Sequence, residues 1–152
     1  MTASDPAFID SSVVLSILLG QPQAREAAAL WDAHPRRAAS ILLEAECRTV
    51  LRRTARARAT VLPPDWRPSS ERLLEEWLES VSLHAVTPKV VARLGAEHVL
   101  GGCRTLDALH LSTALLLRDR VGADLVLITF DRDMAEMARS LGFVVRGVPD
   151  GL

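Results

Sequence analysis

Two cysteines, Cys47 and Cys103, are all that the chain contains. They are too few for a disulfide framework or a zinc site built from thiolates, and they suit a reducing, cytoplasmic setting. Long apolar runs are missing too. The longest, residues 13–19, has seven residues and includes Ser16, whereas a membrane-spanning helix needs about 20. Residues 1–6 hold no basic segment and no cleavage signal, so no export is expected. Charge of one sign is not in excess either. The 18 Lys and Arg against 19 Asp and Glu leave a net charge of −1, which exerts no general pull on nucleic acid or on an anionic membrane. Lysine is almost absent, Lys89 standing alone among arginines; GC-rich coding accounts for that bias. Repeats and low-complexity segments are absent as well.

What is present is an ordinary globular profile of 152 residues, 49% hydrophobic and 24% charged, the size and composition of one domain with one core. Phe8-Ile9 reads as a strand that stops at Asp10. A helix follows from about Ser12, a good cap residue, to Leu19, closed by Gly20 and Pro22. Residues 24–33 form an Ala-rich helix anchored by Leu30 and Trp31, and His34-Pro35 stops it. Ala38-Ala39 is a short strand, and Ser40 caps a long helix over 42–58 whose apolar stripe is Leu43, Cys47, Val50 and Leu51. Pro63, Pro64 and Pro68 make 61–70 a loop. A helix over 71–79 turns Leu73, Leu74, Trp77 and Leu78 inward. A strand at 83–86, a helix at 89–99 behind Pro88, a Gly101-Gly102 break and a helix over 106–118 come next. The clearest strand is 125–128, a continuous apolar run suited to burial on both faces. A helix over 133–141, Gly142 and a strand at 143–145 complete the chain. The alternation predicts an α/β fold, a three-layer α/β/α sandwich around a mostly parallel sheet. Right-handed crossovers then gather the strand C-termini on one edge, where open sheets of this kind bind ligands.

Acids fall at that edge. Asp10 and Asp131 follow strand segments, Asp107 opens the helix after the Gly-Gly break, and Glu44 or Glu46 comes from the long helix after Ser40. Taken singly, each has a structural reading: Asp10 as a turn or helix cap, Asp107 beside a Thr105 cap, Asp131 as the start of its helix. Taken together they repel, since two charges 4 Å apart cost about 4 kcal/mol at an effective dielectric of 20. A hard divalent cation such as Mg²⁺ or Mn²⁺ offsets that repulsion. Glu44 has Arg48 four residues on, the orientation of a surface ion pair. Glu46 has Val50 there, which favours Glu46 for a metal site.

Four segments carry a resemblance. Phe8-Ile-Asp10-Ser-Ser-Val-Val-Leu15, Leu42-Leu-Glu-Ala-Glu46-Cys-Arg-Thr-Val-Leu51, Arg104-Thr-Leu-Asp107-Ala-Leu-His110-Leu-Ser-Thr-Ala114 and Leu127-Ile-Thr-Phe-Asp131-Arg132, in that order and spanning nearly the whole chain, resemble the acidic motifs of PIN-domain nucleases, and within them the VapC-type toxins of toxin–antitoxin pairs. The resemblance implies a single PIN-like domain over 1–152. It implies Asp10, Glu46, Asp107 and Asp131 as a catalytic and metal-binding quartet, with Ser12 and Thr129 in supporting positions. The implied activity is Mg²⁺-dependent hydrolysis of RNA phosphodiesters, with Glu46 orienting or deprotonating the attacking water or helping to hold a second ion. It also implies a cognate antitoxin and a homodimer, to which the Trp77 helix or the Leu73/Leu74 region would contribute apolar contact. The insert at 61–70 departs from the family pattern.

The remaining signals are weaker. Arg52, Arg53, Arg56 and Arg58 cluster on the Glu46 helix and suit RNA phosphates, an acidic antitoxin segment or plain solvation; Arg104 and Arg132 adjoin the acidic motifs. His110, one turn after Asp107, bonds that carboxylate or packs as a polar core residue. Asp133 reads as a first-turn helix acid. Trp31, Trp66 and Trp77 read as packing, with Trp66 in the loop the exception available for base stacking. There is no G-x-S-x-G elbow, and Gly101-Gly102 lacks the Gly-Lys of a phosphate loop. A haloacid-dehalogenase-like phosphatase needs a second Asp where Ser12 stands, and a response-regulator receiver needs a Lys after a late strand. A catalytically silent PIN-like protein-binding module is the non-enzyme alternative.

Overall fold

The computed structural model describes residues 5–122 and 124–151; residues 1–4, read above for export signals, lie outside them. Five strands and seven α-helices alternate: β1 Ala7–Ile9, α1 Ser11–Leu18, α2 Ala24–Ala33, β2 Arg37–Ser40, α3 Leu42–Ala57, α4 Trp66–Leu78, β3 Val81–His84, α5 Pro88–Ala96, α6 Thr105–Val121, β4 Val126–Ile128, α7 Arg132–Ser140 and β5 Val144–Arg146. A 3-10 helix, His98–Gly102, links α5 to α6. The sheet order is β3-β2-β1-β4-β5, and every pairing is parallel. The expected α/β/α sandwich is therefore the one observed.

Side-chain alternation along β1 divides the core. Ala7 and Ile9, with Val126 and Ile128, face a cluster from α1 to α4 that includes Val13, Trp31, Leu43, Cys47, Leu51, Leu74 and Leu78. Phe8 and Leu127 face the opposite cluster, built by Leu111 and Leu115 of α6, Met134 and Ala138 of α7, Leu100 and Phe143. Strands buried on both sides need no polar positions, which is why 125–128 reads as one unbroken apolar run. Burial and neighbouring acids push the Cys47 thiol up to about 12, so Cys47 is inert apolar filling in this core.

Several expectations are corrected. Asp10, not Ser12, is the N-cap of α1. Helix α4 begins at Trp66, so 66–70 is helical and not loop. Pro68 is tolerated because first-turn N–H groups have no intrahelical partner to lose. Trp66 packs against the first core and is not poised in a loop. Helix α5 ends at Ala96, and Gly101-Gly102 sits inside the 3-10 helix. Strand β3 lies two residues earlier than expected. The inward stripe of α4 is narrower than the sequence suggests. Leu74 is fully buried, Leu73 is 40% exposed, and Trp77 leans on Trp31 with ring centroids 4.5 Å apart. Of the residues expected to supply a dimer contact, Leu73 is exposed, Trp77 half-buried and Leu74 buried. No helix among the described residues is long and apolar enough to cross a membrane.

The difference between neighbours is measurable. Leu74→Ala should cost about 2–5 kcal/mol of unfolding free energy, the range for emptying a buried leucine site. Leu73→Ala should stay within about 0.5 kcal/mol of wild type. Chemical denaturation of the two variants checks the assignment of faces.

Candidate active site

Strands β1 and β4 are neighbours, with Ile9 opposite Ile128, so the chain leaves both at one point of the C-terminal edge. Asp10 leaves β1 there and is 6% exposed. Its Oδ2 accepts the hydroxyl protons of Ser12 at 2.8 Å and of Thr129 at 2.9 Å. The same two hydroxyls then act as acceptors. Ser12 Oγ takes the Phe130 N–H at 2.9 Å, and Thr129 Oγ1 takes the Asp131 N–H at 3.0 Å. Each short side chain is thus used twice, and the loop carrying Asp131 is stitched to the one carrying Asp10. Asp131 in turn caps α7, its Oδ1 accepting Met134 N–H at 2.9 Å.

Asp107 comes from the first turn of α6, where Arg104, not Thr105, occupies the cap position. Burial raises the Asp107 pKa above the ordinary carboxylate value, and the charges of Asp131 and Asp10 raise it further. Three acids that are far apart in sequence therefore share one electrostatic field. Asp107 Oδ2 also lies 3.5 Å from Arg104 Nε, whose side chain is otherwise exposed. Among the described residues, no three His, Cys, Asp or Glu side chains stand close enough together to hold a metal ion. The acids share an edge without closing into a coordination shell.

Glu46 reaches the same region from α3. Its Oε1 is hydrogen-bonded to Nε2 of His110 in α6. Glu44 instead pairs with Arg48, at 2.9 Å, and that arginine also reaches Glu75 of α4. The i,i+4 ion pair expected for Glu44 is thus formed. His110 bonds Glu46 and not Asp107, a partner 64 positions away in sequence that no local spacing signals. Burial lowers the His110 pKa, but the bond to Glu46 and the charges of Asp10, Glu46 and Asp107 together hold it above the usual histidine value.

The arginines divide. Arg52 is engaged with Glu71 at 3.0 Å and ties α3 to α4. Arg53 borders a shallow depression of about 320 Å³ beside Glu46, with Leu42, Thr49, Val50 and Leu106. Arg104 and Asp107 border a cleft of about 640 Å³ that continues along Asp133, Glu136 and Met137. Arg132 is exposed at the start of α7.

One contributor carries no chemical group. Gly147 follows β5 with φ +104°, and a Cβ built there would stand 2.2 Å from the carbonyl oxygen of Thr129. The sequence signal was available, a glycine just after a short strand, but its meaning depends on which backbone lies against it.

A PIN domain family model matches residues 7–140. The chain belongs to the PIN domain family. Members of this family are generally nucleases. The fold is similar to that of a toxin–antitoxin complex from Klebsiella pneumoniae (22% identity, 85% of this chain and 90% of that one, TM-score 0.59). It is also similar to VapBC2 from Rickettsia felis bound to a DNA fragment from their promoter (12% identity, 92% and 96% covered, TM-score 0.62). A third similar structure is PAE2754 from Pyrobaculum aerophilum (20% identity, 93% and 84% covered, TM-score 0.58). No curated protein matches the sequence significantly.

Two tests follow from this geometry. Gly147→Ala should destabilise the protein by at least about 1–3 kcal/mol, the range for forcing strained backbone, and should shift the amide resonances of Phe130 and Asp131 in NMR spectra. Asp107→Asn should act in the opposite direction when a chelator is present. Because folding raises the Asp107 pKa, its protonated form is favoured in the native state. That contribution is complete at acid pH and is lost as pH rises through the raised value. The Asn variant should therefore melt above wild type at pH 7, with the gap closing as pH falls through the carboxylate range. Thermal melts across that range check it.

Proposed function

We propose that the protein is a VapC-type toxin, a metal-dependent endoribonuclease paired with a cognate antitoxin. The observation that carries the reading is the shared field at the sheet edge, where Asp107 feels both Asp131 and Asp10 while Glu46 approaches from α3. The donor chemistry fits a hard divalent cation. All four groups are carboxylates, and their mutual repulsion is what such an ion relieves. Asp10, Asp107 and Asp131 would hold Mg²⁺ or Mn²⁺, which when bound supplies Lewis acidity that acidifies water and offsets charge on the phosphorane.

The chain's own residues do the rest. Ser12 and Thr129 fix Asp10. Glu46 orients the attacking water or takes its proton. Arg104 and Arg132 meet phosphate oxygens on either side of the acids, and Arg53 extends the basic rim across the depression beside Glu46. RNA as substrate is supported by membership of a family whose members are generally nucleases. An antitoxin is supported by the fold's similarity to toxin–antitoxin complexes. It is supported also by exposed apolar side chains next to the site, Ile41 and Leu106, which a partner segment would cover.

Purified protein incubated with single-stranded RNA and Mg²⁺ should cleave it. EDTA should abolish cleavage, and Asp10→Asn and Asp107→Asn should each lower the rate by about a hundredfold or more. Cleavage that persists unchanged in EDTA and in both variants overturns the metal mechanism. Well-folded protein that cleaves no RNA while still binding a partner favours the silent binding module.

A further inference from the structure

We infer that His110 is a positioning residue for Glu46, holding its carboxylate at the sheet edge through the bond from imidazole Nε2. The inference rests on the nuclease reading and adds to it a residue outside the acidic quartet.

His110 is 1% exposed on α6, in a buried stretch that includes Ala108, Leu111, Ser112, Thr113 and Ala114. A leucine would fill that space without leaving a nitrogen unpaired. The histidine does leave one, since Nδ1 is buried and has no hydrogen-bond partner. Among the described residues, its one hydrogen bond is with Glu46 Oε1. A buried imidazole with one bond is a poor contributor to stability, because the unpaired nitrogen forfeits its solvation.

Glu46 shows what that single bond accomplishes. Its side chain is 26% exposed at the rim of the depression it shares with Leu106 and Arg53. A glutamate there has several rotamers open to it, and a reacting water requires only one. The nearest arginine-bearing turns of α3 do not hold it, since Arg48 is taken by Glu44 and Glu75 and Arg52 by Glu71. Among the described residues, His110 is the one partner Glu46 has. The bond also joins α3 to α6, so the acid that follows β2 is set relative to the helix that presents Asp107. Nε2 can donate to the carboxylate from the Nε2–H tautomer of the neutral ring as well as from the imidazolium, so the role does not require a charged ring.

Two measurements test it. The first uses imidazole ¹⁵N NMR on metal-free protein. Wild type should show a slowly exchanging, strongly downfield Nε2–H signal for His110, lost in Glu46→Ala; an identical signal in both overturns the pair. The second uses RNA cleavage in Mg²⁺. His110→Leu should lower kcat by about 10- to 100-fold, as loss of a supporting partner does, with KM within about twofold. His110→Gln, whose side-chain amide can present an N–H to Glu46, should recover most of the loss. An active wild type whose His110→Leu variant keeps its kcat overturns this inference alone. So does a loss that Gln fails to rescue and that follows thermal stability in both variants. A wild type that cleaves nothing overturns the nuclease reading and this inference with it.

Discussion

One oxygen atom organises the sheet edge. Asp10 Oδ2 receives protons from Ser12 and Thr129, hydroxyls that come from the exits of two different strands. Because each hydroxyl also accepts a backbone N–H from the Phe130–Asp131 turn, the two loops cannot move independently. Charge-assisted bonds of this kind are shorter and stronger than neutral ones, and here they are nearly dry. Everything placed further out depends on this knot, including the start of α7 and the direction in which Asp131 points. Gly147 seals it from below by letting the backbone after β5 lie against Thr129.

The rest of the edge follows from topology. With β1 central and β2 and β4 on either side of it, the connections leaving β1 and β4 diverge to opposite faces. Open α/β sheets form crevices at such points. Helix α3 enters the crevice from one face and α6 from the other, each bringing an acid on an early turn. The acids come from separate elements, so their proximity is imposed by the packing of two cores, with Arg104 beside Asp107 offsetting part of the charge.

Much of this was legible before any coordinates. Strand-then-acid at Asp10 and Asp131 is a local pattern, and it survives because both acids remain within one residue of a strand or helix end. The engagement of Glu44 was legible because an i,i+4 ion pair is also local and Arg48 declares it; the preference for Glu46 came from the family resemblance. What escaped was either long-range or a matter of degree. His110 finds its partner 64 positions away, and no periodicity encodes that. Leu73 and Leu74 are equally apolar, so only the crossing of α4 over the sheet decides which one is buried. Pro68 read as a loop because its prohibition from helices lapses in the first turn, and the start of α4 was set by Trp66 packing on the core. The field that joins the acids was expected; the open spacing they adopt was not.

Asp10 and Asp131 also serve as N-caps, of α1 and α7. The fold uses each for an acceptor oxygen, whereas the proposed metal chemistry would use each for a charge. Asparagine supplies the first without the second, and it ranks with aspartate as a cap. Architecture and reactivity are thus separated here by the smallest exchange the genetic code permits, a single side-chain oxygen for an amide nitrogen. On the proposed function, a lineage drifting across that step would retain a correctly folded decoy, able to occupy its ancestor's partners without its ancestor's cleavage.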